Sequence, residues 1–161
     1  MDARLVLHLI RRFERAGVPV WIAGGWGIDA LVGRQTRPHA DLDLIHDQAR
    51  EPAGLALLAE EGFTETLDLR PVRFVLHGPA ELDMHPVRFA ADGSAVQSAD
   101  NDGATFDYPA DCFVTGRIEG VEVPCLSVEQ QVRFHQGYQP RERDLHDMAQ
   151  LRAEFGVTTA F

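Results

Sequence analysis

The chain has 161 residues, 45% of them hydrophobic and 25% charged, proportions of an ordinary globular protein that exclude a disordered or fibrous class. This length supports one domain, or one domain with a small helical appendage, and it buries roughly 70% of the surface that the unfolded chain exposes. The formal net charge of −10 argues against a nucleic-acid partner, because backbone binding needs a basic surface, and it suits a small cationic partner better.

Residues 2–16 place Leu5, Val6, Leu9, Ile10 and Phe13 on one stripe, an amphipathic helix that Gly17 and Pro19 end. Arginines interrupt its apolar run, so the segment reads as neither a signal peptide nor a membrane span. No other stretch is long and apolar enough to cross a bilayer, and no membrane partner is expected. Val20–Ala23 is a short β run ended by Gly24-Gly25, and Trp26–Val32 is a helix closed by Gly33. A polar loop over 33–40 leads into Asp41–His46, whose alternation of acid and apolar residues is that of a half-buried strand. Residues 52–61 form a helix ended by Gly62, and strands at Arg73–His77 and Glu81–Phe89 flank a hairpin turn. The polar stretch 90–111 reads as a long loop or irregular strand region. Val121–Leu126 is a strand, and the capping-box spacing of Ser127–Gln130 starts a helix that stops at Gly137. A last helix spans about 140–155, with Leu145, Met148, Ala149 and Leu151 inside.

This order predicts an α+β fold: a small mixed β-sheet with helices packed on one side, followed by C-terminal helices. Residues 1–126 would form the core and 127–161 a helical pair belonging to the same compact unit. Cys112 and Cys125 sit in no C-x-x-C pair and read as reduced, half-buried strand residues, in keeping with a cytoplasmic location. The chain contains no Lys, so any phosphate contact must come from Arg, His, hydroxyls or backbone N–H groups.

The chemistry concentrates on two strands. Residues two apart on a strand face the same way, so Asp41 and Asp43 share one face, and Asp83 and His85 share another. If the strands are neighbours, three carboxylates converge. Such crowding needs a shared proton, as in an acid–base dyad, or a divalent cation held by oxygen ligands. Alternatively the acids are only the solvent side of amphipathic strands. Upstream, the Gly24-Gly25 turn puts backbone N–H groups of a helix N-terminus at the end of the sheet, a place for phosphate to approach. A phosphate cradle and a carboxylate triad together are the parts of metal-assisted nucleotidyl transfer.

The stretch 21–44, WIAGGWGIDALVGRQTRPHADLDL, resembles the signature of the antibiotic nucleotidyltransferases of the DNA polymerase beta-like superfamily, in particular the lincosamide nucleotidyltransferases and aminoglycoside 2''-adenylyltransferases. The similarity continues through ELDMHPV at 81–87 and FHQGYQPRERDLHDM at 134–148, and so covers most of the chain in order. The glycines lie farther from the D-x-D pair than is usual in the superfamily, a spacing shared by the antibiotic-modifying branch. The GGWGIDAL stretch is nearest the lincosamide-type members.

The resemblance implies a nucleotidyltransferase core and an enzyme that moves an NMP group from an NTP, with ATP the expected donor, to a hydroxyl of a small antibiotic. It makes Asp41 and Asp43 metal ligands and Asp83 the third carboxylate, either sharing the metal or taking the acceptor's proton, with two Mg²⁺ ions expected. Gly24 and Gly25 would hold the triphosphate, and Arg37 and His39 are further candidate nucleotide contacts. His85 and Tyr138 are candidate acceptor contacts. Trp26 is either a floor for the nucleotide or a packing residue, and Asp29 is expected to pair with Arg34. A homodimer that closes the acceptor pocket is a further expectation. The competing readings are a catalytically inactive, antitoxin-like module of the same fold, and a two-carboxylate glycosidase, which leaves the Gly-Gly turn unexplained.

Overall fold

The computed structural model describes residues 1–161. Helix α1 (Ala3–Arg15) opens at Asp2, whose side chain accepts from the backbone N–H of Leu5 at 2.9 Å. Strand β1 (Val20–Ala23) runs directly into α2 (Gly24–Val32), so both glycines lie inside the first helical turn and do not precede it. Then come β2 (Asp41–Asp47), α3 (Glu51–Glu60), β3 (Thr64–Leu69), β4 (Arg73–His77) and β5 (Glu81–Phe89). A hairpin of β6 (Ala95–Ser98) and β7 (Thr105–Tyr108) follows, and after it β8 (Phe113–Ile118), β9 (Val121–Leu126), α4 (Val128–Phe134) and α5 (Glu142–Phe155).

The strands form one mixed sheet in the order β3-β4-β5-β2-β1-β9-β8, with β6 and β7 joined through the far end of β5. Strands β2 and β5 are parallel neighbours, as are β1 and β9, while β1 and β2 are antiparallel. Period-two alternation decides which side chains go where. Leu42 and Leu44 of β2 and Leu82 and Met84 of β5 enter the main core with Ile22, Phe74, Val123 and Cys125, covered by α1, α2 and α3. Val6, Leu9 and Phe13 of α1 are fully buried there, as the stripe requires.

The other face of the sheet is not bare. Ala23, Ile45, Val87, Ala95, Tyr108 and Leu126 form a second cluster under the β6–β7 hairpin, with Phe134 of α4 packed against it. Helices α4 and α5 meet the outer side of α2 in a third cluster of Ile28, Val32, Val128, Met148 and Leu151.

Several sequence expectations change. The stretch 90–111 contains a regular hairpin, β6–β7, whose polar residues conceal its alternation. Strands β3 and β8 were not expected. All six residues of β3 are exposed, so it has no apolar signal. Helix α4 ends at Phe134, short of Gly137, and Leu145 is 45% exposed while Asp144 and Asp147 of the same helix are buried. Cys112 is buried in a 3-10 turn, not on a strand. No helix is long and apolar enough to cross a membrane.

Candidate active site

Backbone register assembles the site. Ala23, the last residue of β1, pairs with Asp43, and Asp43 pairs with Asp83 across the parallel β2–β5 ladder. Gly24 follows at once with φ of 56°, a conformation that favours glycine, and a Cβ there would overlap the Asp43 carboxylate. A Cβ on Gly25 would meet the Arg37 guanidinium and His39 Nδ1. The two glycines therefore keep the N-terminus of α2 open beside the carboxylates.

Asp43, Asp83 and His85 bring their ligand atoms within 4.8 Å of one another. His85 Nε2 lies 3.6 Å from Oδ1 of Asp43 and 3.6 Å from Oδ1 of Asp83, beyond direct hydrogen bonding. Asp83 Oδ2 accepts from Arg73 Nη1 at 2.5 Å, whereas its Oδ1 is buried with no hydrogen-bond partner. Burial raises the Asp83 carboxyl above the ordinary carboxylate range, and Asp43 adds to the rise while His85 and Arg73 oppose it. Burial opposes charge on His85, but the negative charges of Asp43 and Asp83 outweigh it and raise the imidazole. Asp41 lines the same cavity, outside this tightest cluster. Crowded acids and one orphaned carboxylate oxygen fit a hard divalent cation with oxygen ligands.

These groups open into a cavity of about 440 Å³. Gly24, Gly25, the three aspartates, Phe106, Phe134, Asp144 and Asp147 are among the residues that line it. The cavity wall thus combines aromatic and acidic side chains.

Arg37 reaches the cavity, but its guanidinium forms a two-pronged pair with Asp147, Nε to Oδ1 at 2.7 Å and Nη2 to Oδ2 at 2.5 Å. The hydrogen bond to Asp147 raises the already high Arg37 pKa. His39 is buried, and its Nε2 bonds Asp29 Oδ2 at 2.5 Å, bracing the loop, while its Nδ1 lies beside Gly25. Asp29 does not pair with Arg34. It accepts from Thr36 N and Oγ1 at 3.1 and 2.6 Å and from His39, while Arg34 reaches Glu154 and Gln150. Trp26 is a core residue beside His39, with ring centroids 4.6 Å apart, and so is no floor for a nucleotide. Tyr138 is 45% exposed against Phe161, and it does not line the cavity. His85 lies within the carboxylate cluster itself and is not only at its edge.

Sequence reasoning missed Arg73, Gln97, Asp144 and Asp147. Arg73 had a signal: Val75 pairs with Asp83, so the residue two earlier on β4 falls on the same face. The two aspartates of α5 carried a weaker one, lying three apart on one helical face. Gln97 had none, because its strand was not recognised.

The family model described as aminoglycoside-2''-adenylyltransferase matches residues 5–151. A lincosamide resistance protein of Staphylococcus haemolyticus is 31% identical over 149 residues, covering 92% of each chain. A crystal structure of a lincosamide antibiotic adenylyltransferase with lincomycin bound superposes with a TM-score of 0.87 at 30% identity, covering 95% of this chain and 98% of that one. The fold is shared as well with ANT(2'')-Ia in complex with adenylyl-2''-tobramycin, with a TM-score of 0.74 at 22% identity over 94% of this chain and 87% of that one.

Proposed function

The chain belongs to the aminoglycoside-2''-adenylyltransferase family of antibiotic nucleotidyltransferases, and from that premise we propose that it transfers AMP from ATP to a hydroxyl of a lincosamide-type antibiotic, releasing pyrophosphate. The observation that carries the reading is the Asp43–Asp83 pairing directly beside Gly24, at one side of a cavity large enough for a small acceptor. The lincosamide choice over an aminoglycoside is supported by a match at 31% identity over 92% of the chain to a lincosamide resistance protein and by Phe106 and Phe134 in the cavity wall. Asp144 and Asp147 in the same wall suit a cationic drug.

Asp41 and Asp43 would hold Mg²⁺, two ions in this proposal, with Asp83 the third carboxylate beside them and its free Oδ1 kept for the acceptor's proton. Bound there, the metal neutralises charge on the triphosphate and on the developing alkoxide. Around it the chain's own residues do the rest. Gly24 and Gly25 leave room for phosphate oxygens at the α2 N-terminus. Arg37 is the adjacent cation for the phosphates, held in place by Asp147. The unpartnered Oδ1 of Asp83 takes the acceptor hydroxyl's proton; the oxygen attacks the α-phosphorus, and the bond to pyrophosphate breaks in line. A base so placed contributes about 10²–10⁴-fold.

All three carboxylates are present, which removes the ground for an inactive, antitoxin-like module. The proposal includes a cytoplasmic enzyme and a homodimer that covers the open side of the cavity, where Phe106 is 45% exposed; sedimentation decides the dimer. The activity is tested by incubating protein, Mg²⁺ and each NTP with a panel of lincosamides and aminoglycosides, then weighing the drugs by mass spectrometry. A gain of one AMP on a lincosamide is expected, and no gain on any drug would overturn the proposal.

A further inference from the structure

The β6–β7 hairpin carries a hydrogen-bond chain that ends on the carboxylate cluster. Gln97 is 5% exposed and Tyr108 1% exposed. The Gln97 amide nitrogen donates to the Val72 carbonyl at 2.9 Å and stands 3.2 Å from His85 Nδ1. Its amide oxygen accepts from the Tyr108 hydroxyl at 2.5 Å.

The orientation of this amide follows from its partners. A backbone carbonyl only accepts, so the atom facing Val72 must be the NH₂ group. The Tyr108 phenol, which burial pushes far above its usual range, keeps its proton and donates to the oxygen on the other side. With both amide atoms assigned, the second N–H of Gln97 faces His85 Nδ1, which must therefore be the nitrogen that carries no hydrogen. Two donors would otherwise meet at 3.2 Å. The ring's remaining proton lies on Nε2, the atom between Asp43 and Asp83.

We infer that Gln97 is a positioning residue for metal selection: it holds the His85 proton on Nε2, so that this N–H faces Asp43 and Asp83 and offers no lone pair to the metal. The inference rests on the assignment of those carboxylates to a divalent cation. A histidine ligates metal only through a nitrogen without a proton, and imidazole nitrogen among the ligands recruits zinc and its neighbours. With Nε2 protonated the donor set stays all oxygen, the set suited to Mg²⁺. The 3.2 Å approach of the Gln97 amide nitrogen leaves room for one hydrogen between it and Nδ1, so Gln97 sets which nitrogen of the neutral ring is protonated.

The test begins without metal. Histidine-nitrogen-15-labelled protein in alkaline buffer, where imidazoles are neutral, is expected to show His85 with a pyridine-like Nδ1 and a protonated Nε2. In Gln97→Glu an oxygen replaces the donor, and the proton is expected to move to Nδ1. Gln97→Met, which removes the restraint, is expected to give a mixture. Competition titrations should then show Zn²⁺ binding to Gln97→Glu tightened by roughly tenfold or more over wild type, the scale of changes to groups behind metal ligands, with Mg²⁺ binding not tightened. A merely structural glutamine would leave the tautomer and the Zn²⁺-to-Mg²⁺ ratio unmoved. A wild-type His85 protonated on Nδ1 overturns the inference without need of any variant, and so does an unchanged tautomer in folded Gln97→Glu. Failure of wild type to bind Mn²⁺ at all would instead overturn the carboxylate assignment, and with it the metal half of this inference.

Discussion

His46 shows how strand alternation can bury a titratable group on the face of the sheet opposite the cavity. It shares the core-facing side of β2 with Leu42 and Leu44, is 1% exposed, and holds Glu51 through Nε2 at 3.0 Å while Nδ1 has no partner. Burial keeps its pKa below the usual value of 6.5, the bond to Glu51 offsetting this only in part. Above that value folded and unfolded chains both carry it neutral. Below it the unfolded chain takes up a proton that the folded chain resists, so stability falls as pH drops from 6.5 towards the lowered folded value. The melting temperature of wild type should therefore fall more steeply over that interval than that of His46→Gln, and equal slopes would contradict the assignment. Legibility at this scale followed the period of the strand. Asp41, Asp43, Asp83 and the two glycines could be read because their spacing repeats a backbone period or a turn. The bond that braces His39 could not be read, because a polar loop has no period and its partner, Asp29, lies on the preceding helix.

Between elements, the loop over 33–40 is tied to α5 by Arg37 and Asp147, whose side chains are 19% and 3% exposed. Removing one partner of such a pair strands a buried charge. Asp147→Asn should lower unfolding free energy by about 2–4 kcal/mol in urea titrations, and a change under about 0.5 kcal/mol would mean that the pair behaves like an exposed one. The same variant should weaken apparent ATP affinity, since Arg37 loses its anchor. Elements with an apolar alternation or a capping signal, such as β2, β5 and α1, were legible to within a residue or two. Strand β3 has both faces exposed, and β6 and β7 mix Gln, Ser, Thr and Asp with the apolar positions, so their order comes from pairing partners that a local window does not contain. That failure hid Gln97, whose place beside His85 depends on the hairpin.

At the scale of the molecule the C-terminal helices do two jobs at once. They cover Ile28 and Val32 of α2, and they bring Asp144 and Asp147 to the cavity. We expect one cooperative unit on this basis. The full chain should unfold in a single transition, and a fragment ending at Leu126 should bind a hydrophobic dye and lack that transition; a fragment that folds and melts sharply would make residues 127–161 an appendage. Net charge was informative at this scale in only one respect: an overall −10 leaves an acidic cluster dependent on a cation, whether metal or drug. The most direct test of the metal-held carboxylates is pyrophosphate release by wild type and Asp43→Asn across a Mg²⁺ titration, with melting curves run in chelator. Wild-type turnover should rise and saturate with Mg²⁺. The variant should fall by about 10² or more, as when one transition-state electrostatic group is removed, while melting at or slightly above the wild-type temperature because charge crowding is relieved. Wild-type turnover in the variant, or undiminished turnover in chelator, would contradict the account.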